Sequence, residues 1–372
     1  MAEGFDMGRQ QKADPASLDG AASRTDVAAG LLGTPLPATP IHKINFPAAE
    51  QAGNRVFLKR DDLLPFSFGG NKVRIARAFV ADMIEQGCDA LVMYGDLQSN
   101  LCRVLANLCH ELGVPALMVA TAHDQVAHGG SDRASANGTA EAPASFNERL
   151  VRRFGIDVLR CASDGIADAV DEAMDRLRSQ GRRPYYIYGN RYGTGNEGTA
   201  ARAYEEAYRE ICAQERELGL SFGIIATPYG TGCTQGGLIC GSLNAGDGRR
   251  IVGFSISSRS PERARSVLEE TVADWHRKSG RTLPEGWRDR IDLQCGYNRG
   301  GYGTEDVRVD EMVEFMLKEN SVPTDPTYMG KALLGFADYL REHDVRDTDI
   351  LFLHTGGLPL FFDYLERARA LH

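Results

Sequence analysis

From Val56 onward, short apolar runs of strand character alternate with stretches of helical period, and this alternation constrains the fold more than any other feature. "RVFLKR" reads as a strand and Val73 to Glu85 as a helix. "ALVMYG" is a strand before a helix from about Ser99 to Leu112, and "PALMVAT" is the next strand. "FNERLVRRF" reads as helix, "DVLRC" as strand, Ile166 to Ser179 as helix, "YYIYGN" as strand and Thr199 to Leu218 as a long helix. "FGIIATP" and "RIVGFSI" flank a Gly-rich turn and helix, and "DILFLHTGG" is a late strand ending in a turn. Strands separated by helices pair in parallel, with helices covering both sheet faces. The alternation continues over more units than one sheet usually holds. The expected fold is therefore α/β, with two open, mainly parallel α/β domains.

Composition narrows the function classes. Among 372 residues, 51 acidic against 42 basic side chains give a formal charge of -9, which argues against nucleic acid or an anionic membrane as partner. No stretch reaches the roughly 18 apolar residues of a membrane-spanning helix. The first residues, "MAEGFDMGRQQKADPASLDG", lack the apolar core of a secretory signal. The eight cysteines include no C-x-x-C pair and read as reduced thiols. The expectation is a cytoplasmic protein without disulfides. Residues 1–30 read as a mobile tail, and "HGGSDRASANGTAEAPAS", 128–145, as a surface loop.

Ligands of open parallel sheets sit beyond the carboxyl ends of the strands, so the strand-to-helix turns are the places to search. In "SFGGNKVRIARAF" a lysine, Lys72, follows a tight glycine turn at the mouth of a helix. "YGTGCTQGG" opens a helix after a buried strand. There Gly230 and Gly232 allow close backbone approach, and the helix amides, with the Thr231 and Thr234 hydroxyls, form an anion cradle. It lacks a P-loop lysine, and a bare glycine turn is the competing reading. Gly193, Gly195 and Gly198 in "YGTGNEG" match a dinucleotide fingerprint, but the next strand ends in Thr227-Pro228 without the acid that would hold a ribose. Ser99 and Asn100 in "LQSN" are explained by helix capping alone. His354 is a lone histidine, and the eight histidines show no metal-ligand spacing, so no metal site is expected. A phosphate cradle without a nucleotide motif, plus a lysine on another turn, suggests a small phosphorylated cofactor held covalently. Pyridoxal 5'-phosphate fits, with a partly desolvated lysine amine binding it and moving a proton.

"KRDDL…GGNKVR", "LQSN", "YGTGCTQGG", "DPTYMGKALLG" and "LFLHTGGLP" occur in this order in the chain, from about Leu36 to Tyr364. In this the chain resembles the 1-aminocyclopropane-1-carboxylate deaminase and D-cysteine desulfhydrase family, among the tryptophan-synthase-β-like, type II pyridoxal phosphate enzymes. The resemblance implies a cofactor in the cleft between a large domain, 31–77 plus 195–372, and a small mobile domain, 78–194. It implies that Lys72 forms the Schiff base, flanked by Asn71. Asn100 would bond the cofactor's ring hydroxyl, and Ser99 would meet the substrate carboxylate or the departing group. Gly230, Thr231, Gly232, Cys233 and Thr234 would cradle the phosphate. Tyr328 would stack on the pyridine ring, Tyr302 would face the substrate, and Thr355 would bond the pyridine nitrogen. A homodimer is implied as well. The activity implied is β-elimination from a small amino acid such as D-cysteine or a related sulfur or sulfonate amino acid, giving an α-keto acid and ammonia. A cyclopropane-opening deaminase and a non-catalytic binding protein of the same fold are the alternatives. Two departures bear on this: Ile75 stands where the family has a second basic residue, and Met329 where the deaminases have glutamate and the desulfhydrases threonine.

Overall fold

The computed structural model describes residues 34–121, 144–301 and 304–369. The expected tail, nearly all of the 128–145 loop, and Tyr302 lie outside the described residues. The unit Leu36–His372 holds two sheets. Its strands are β1 (Ile41–Lys43), β2 (Arg55–Lys59), β3 (Ala90–Asp96), β4 (Ala116–Thr121), β5 (Asp157–Cys161), β6 (Pro184–Tyr186), β7 (Ile224–Tyr229), β8 (Arg250–Ser255), β9 (Asp292–Gln294) and β10 (Asp349–Leu353).

The larger sheet runs β1-β2-β10-β7-β8-β9, and the smaller β5-β4-β3-β6. Every pairing is parallel except that of β1 with β2. The two mainly parallel α/β sheets expected from the alternation are therefore present. β7 is buried along its whole length, as is β10 after its first residue, because helices cover both faces. Phe254 on β8 lies at the centre of the larger core, with the rings of Tyr297, Phe336, Tyr339 and Phe352 around it at centroid distances of 5.5–6.5 Å.

The helix Asn71–Glu85 packs both on Asn100–Leu112, beside the smaller sheet, and on Ala201–Leu218, beside the larger. Lys72 thus sits at the head of a helix shared by both layers. The sequence placed the start of this helix at Val73; the structure starts it at Asn71, so Lys72 lies within its first turn. β6 ends at Tyr186 rather than continuing through "YYIYGN", since the chain turns at Gly189, where φ is 89°. No helix of the described residues is long and apolar enough to cross a membrane.

Candidate active site

The carboxyl ends of β3, β6, β7, β8 and β10 surround one cleft of about 870 Å³. Asn71, Lys72, Ser99, Asn100, Tyr328 and Thr355 line it, as does the whole turn from Gly230 to Thr234. The structure therefore brings together every described residue of the expected site.

Backbone contact fixes the lysine turn. A Cβ on Gly69 would lie 1.9 Å from the Asp62 carbonyl oxygen, and one on Gly70 would lie 2.8 Å from that of Thr355. The Gly70 amide donates to Asp61 O at 2.8 Å and the Asn71 amide to Thr355 O at 3.1 Å. Side chains of "KRDDL" reinforce this from below. The buried Asp61 carboxylate accepts from Arg74 Nε and Nη2 at 3.1 Å, from Tyr204 Oη at 2.6 Å and from Thr39 Oγ1 at 2.8 Å. That motif is thus the footing of the lysine turn. The Lys72 amine makes no hydrogen bond or ion pair among the described residues, and burial lowers its pKa below the ordinary lysine value, with a smaller opposing influence from Cys233. The buried Lys59 and Lys331 are engaged instead, Lys59 by Thr39, Glu210 and Gln214, and Lys331 by the Gly301 carbonyl.

The other turns converge on this amine. Asn71 Nδ2 donates to Thr234 Oγ1 at 3.0 Å, tying the lysine turn to the glycine turn. Gly232 has φ of 87°, a left-handed conformation, and the helix Cys233–Ala245 begins directly after it. The first amides of that helix have no intrahelical partner, and the residues that carry them line the cleft. Later glycines of the motif serve packing: a Cβ on Gly237 would lie 2.4 Å from Ala201 O. Ser99 caps the helix Asn100–Leu112, its Oγ accepting from the Cys102 amide at 3.2 Å, as its capping reading required. Asn100 Oδ1 accepts from Asn147 Nδ2 at 3.0 Å, which leaves the Asn100 NH2 to donate. Thr355 directs its amide and hydroxyl at Met329 Sδ, at 3.4 and 3.5 Å.

Two histidine and glycine readings are settled locally. His354 is buried, its Nε2 against Pro323 O at 2.9 Å and its Nδ1 accepting from the Gly356 amide at 3.2 Å. It is a structural histidine in one neutral tautomer, and burial lowers its pKa. Gly198 is a packing glycine, since a Cβ would lie 2.3 Å from the Trp275 nitrogen, so its place in a dinucleotide-like spacing has a structural cause.

Asp325 caps the helix Met329–Glu342 from beneath Tyr328. Its carboxylate accepts from the amides of Thr327 at 2.9 Å and Tyr328 at 2.7 Å. Burial pushes its pKa up to about 7 against these donors. The folded state then holds a proton that the unfolded state has lost, so this group's contribution to stability is present at low pH and falls as pH rises from about 4 to about 7. Relative to Asp325→Asn, the wild type is expected to lose stability over that range with a slope of up to about 1.4 kcal/mol per pH unit. Urea unfolding of both proteins across the range checks this, and parallel curves would contradict it.

Arg259 escaped the sequence reading. Its guanidinium donates to Gly230 O at 2.7 Å and lines the cleft beside the glycine turn. It comes from a loop after β8 with no motif of its own, so only the fold reveals it.

A family model described as "Pyridoxal-phosphate dependent enzyme" matches residues 34–356. A protein named D-cysteine desulfhydrase from Klebsiella pneumoniae (strain 342) is 29% identical over 338 residues, which cover 90% of this chain and 95% of that protein. A D-cysteine desulfhydrase of Yersinia enterocolitica (serotype O:8 / biotype 1B) is 28% identical over 334 residues, covering 88% and 93%. A crystal structure described as an ACC deaminase homologue superimposes with a TM-score of 0.75 at 24% identity, over 93% of this chain and 99% of that one. O-ureido-L-serine synthase gives a TM-score of 0.59 at 18% identity, over 90% and 94%. At these identities the structural likenesses show a shared fold.

Proposed function

Because the chain belongs to the pyridoxal-phosphate dependent enzymes, we propose that it is a deaminating lyase, eliminating the β-substituent of an amino acid such as D-cysteine or a related sulfur or sulfonate amino acid. With cysteine the balance is cysteine plus water to pyruvate, ammonia and hydrogen sulfide. The observation that carries the reading is Lys72: a desolvated amine, unpartnered among the described residues, in a cleft also lined by a glycine turn at a helix N-terminus. The residues present fit pyridoxal phosphate, since the left-handed Gly232 and the helix amides suit a phosphate, and Lys72 suits a carbonyl carbon.

When bound there, the cofactor supplies an electron sink for the charge that develops as an amino acid loses its α-proton. Lys72 would hold it covalently, and its lowered pKa leaves the amine free to carry that proton. The turn from Gly230 to Thr234 would bind the phosphate. Arg259 would add the positive charge that Ile75, 1% exposed in the core, does not provide. The Asn100 NH2 would donate to the ring hydroxyl, and Thr355 to the ring nitrogen. Ser99 keeps its hydroxyl proton while capping, so it can donate to the substrate carboxylate or to the departing group. We further read residues 78–194 as a small domain that moves against the rest, and the enzyme as a cytoplasmic homodimer, a reading that rests on the family resemblance.

The phosphate assignment has its own test. A β-branched residue at Gly232 must adopt a positive φ, at a cost of roughly 1–3 kcal/mol, and its branches, beyond a Cβ already 3.4 and 3.6 Å from Tyr229 and Val267, would press on them, so the turn that carries the amides must shift. Loss of the Thr234 hydroxyl removes one neutral hydrogen bond of about 0.5–1.5 kcal/mol. Gly232→Val is therefore expected to weaken cofactor binding more than Thr234→Ala. Titration of each apoenzyme with pyridoxal phosphate, followed by absorbance, gives the order, and the reverse order would count against this cradle. For the activity itself, D- and L-cysteine are each incubated with the holoenzyme and pyruvate is measured; release from neither, nor from any β-substituted amino acid, contradicts the lyase reading.

A further inference from the structure

Three tyrosines form an aromatic wall in the cleft that the sequence reading left unassigned. Tyr94 lies on β3, Tyr186 at the end of β6, and Tyr188 just beyond it. Tyr188 is the hub, with ring centroids 6.4 Å from Tyr94, 5.9 Å from Tyr186 and 6.4 Å from Phe79, all edge-to-face. All four rings line the cleft. Phe79 follows Lys72 on the same face of one helix, two turns on, which is roughly 10 Å along its axis. The wall thus lines the same cleft as Lys72.

A packed aromatic core is the competing account. It leaves the hydroxyls unexplained. Buried phenols ordinarily find hydrogen-bond partners. Those of Tyr186 and Tyr188 have none among the described residues, and both oxygens are accessible, so they open into the cleft, although Tyr186 as a whole is only 4% exposed. Burial raises the pKa of all three phenols, so they stay protonated and act as donors. The volume points the same way. About 870 Å³ lies near the upper end of the roughly 300–1,000 Å³ that holds a drug-sized ligand, more than cysteine beside the cofactor calls for.

Resting on the lyase reading above, we propose that the preferred substrate carries on its β-carbon a sulfur or oxygen bearing an aromatic group with a hydrogen-bond acceptor on its rim, so that the bond from the β-carbon to that heteroatom breaks as the α-proton is lost and an aromatic thiol or alcohol departs, the ring being seated among Phe79, Tyr94, Tyr186 and Tyr188. The rings supply edge and face contacts to the aromatic group, and the Tyr186 and Tyr188 hydroxyls donate to its acceptor.

The test compares two amino acids without a β-leaving group, alanine and 4-nitrophenylalanine, each in both enantiomers. Their equilibrium binding to the holoenzyme is followed by the change in the cofactor's absorbance and by calorimetry. For the better enantiomer, 4-nitrophenylalanine is expected to bind at least about tenfold tighter than alanine, since one buried ring is worth that much. In the Tyr186→Val, Tyr188→Ala double variant the preference should shrink to about threefold or less, with alanine affinity unchanged. The milder Tyr186→Phe, Tyr188→Phe pair keeps the rings and should lose part of the preference; it is the deciding variant if the first no longer holds cofactor. Equal binding of the two ligands by wild type, or a preference that neither double variant reduces, overturns the proposal. Pyruvate release from cysteine without any aromatic preference would leave the lyase reading standing and remove this one. An aromatic preference without keto-acid release from any substrate would do the reverse.

Discussion

Lys72→Ala is expected to abolish turnover and to leave pyridoxal phosphate bound, if at all, without a covalent link. Loss of proton transfer alone costs about 10²–10⁴-fold, and loss of the attachment adds to it. Lys72→Arg should be equally inactive, because a guanidinium keeps the charge but cannot give up its proton to act as a nucleophile. That pair of variants separates an amine needed for chemistry from a cation needed for binding. Lys72→Ala should still fold. The lowered pKa means the charged lysine is disfavoured in its folded surroundings, so removing it is expected to leave the apoenzyme at least as resistant to urea. Borohydride reduction of the wild type followed by peptide mapping should place the pyridoxyl label on Lys72. A label on Lys59 or Lys331 would overturn the assignment, and the structure argues against both. Lys59 is held by Glu210, Gln214 and Thr39, and Lys331 by the Gly301 carbonyl.

Much of this site is legible in the sequence because its turns carry local constraints. Gly69, Gly70 and Gly232 adopt positive φ, and Gly70 also meets the Thr355 backbone, so glycines mark these turns whatever the distant contacts are. Parallel strands buried on both faces leave continuous apolar runs such as Ile224 to Tyr229, which made the fold class readable. What was not legible depends on contacts far apart in the chain. Arg259 reaches the glycine turn from 29 positions away and no local pattern predicts it. The role of "KRDDL" was hidden for the same reason, since Asp61 is completed by Tyr204, 143 positions on. Tyr186 and Tyr188 carried a usable signal, two aromatic residues on one face of an expected strand. It could not tell core from cleft without knowing that β6 stops at Tyr186.

Incubated under the same conditions, D-cysteine or β-chloro-alanine is expected to yield pyruvate, and 1-aminocyclopropane-1-carboxylate little or no 2-oxobutanoate. What stands near Thr355 sets this preference. A protonated pyridine nitrogen makes the cofactor a strong electron sink, and a carboxylate beside it favours the proton by pairing with the charge. The residue after Tyr328 is Met329, fully buried, and its sulfur receives the Thr355 amide and hydroxyl at 3.4 and 3.5 Å. A thioether stabilises no cation, and the Thr355 hydroxyl can rotate to donate to an unprotonated nitrogen. Asp325 is nearby in the chain but cannot take the missing acid's place. Its oxygens are committed to the amides of Thr327, Tyr328 and Met329, and its pKa of about 7 leaves it largely protonated below neutral pH. The weaker sink suffices when a good leaving group departs as the α-proton is removed, because negative charge leaves with that group. Opening a cyclopropane ring offers no such exit and leans on the sink alone. Efficient 2-oxobutanoate formation by the wild type would refute this reading. A protonated nitrogen in the resting holoenzyme, seen by nitrogen NMR of labelled cofactor, would remove its premise.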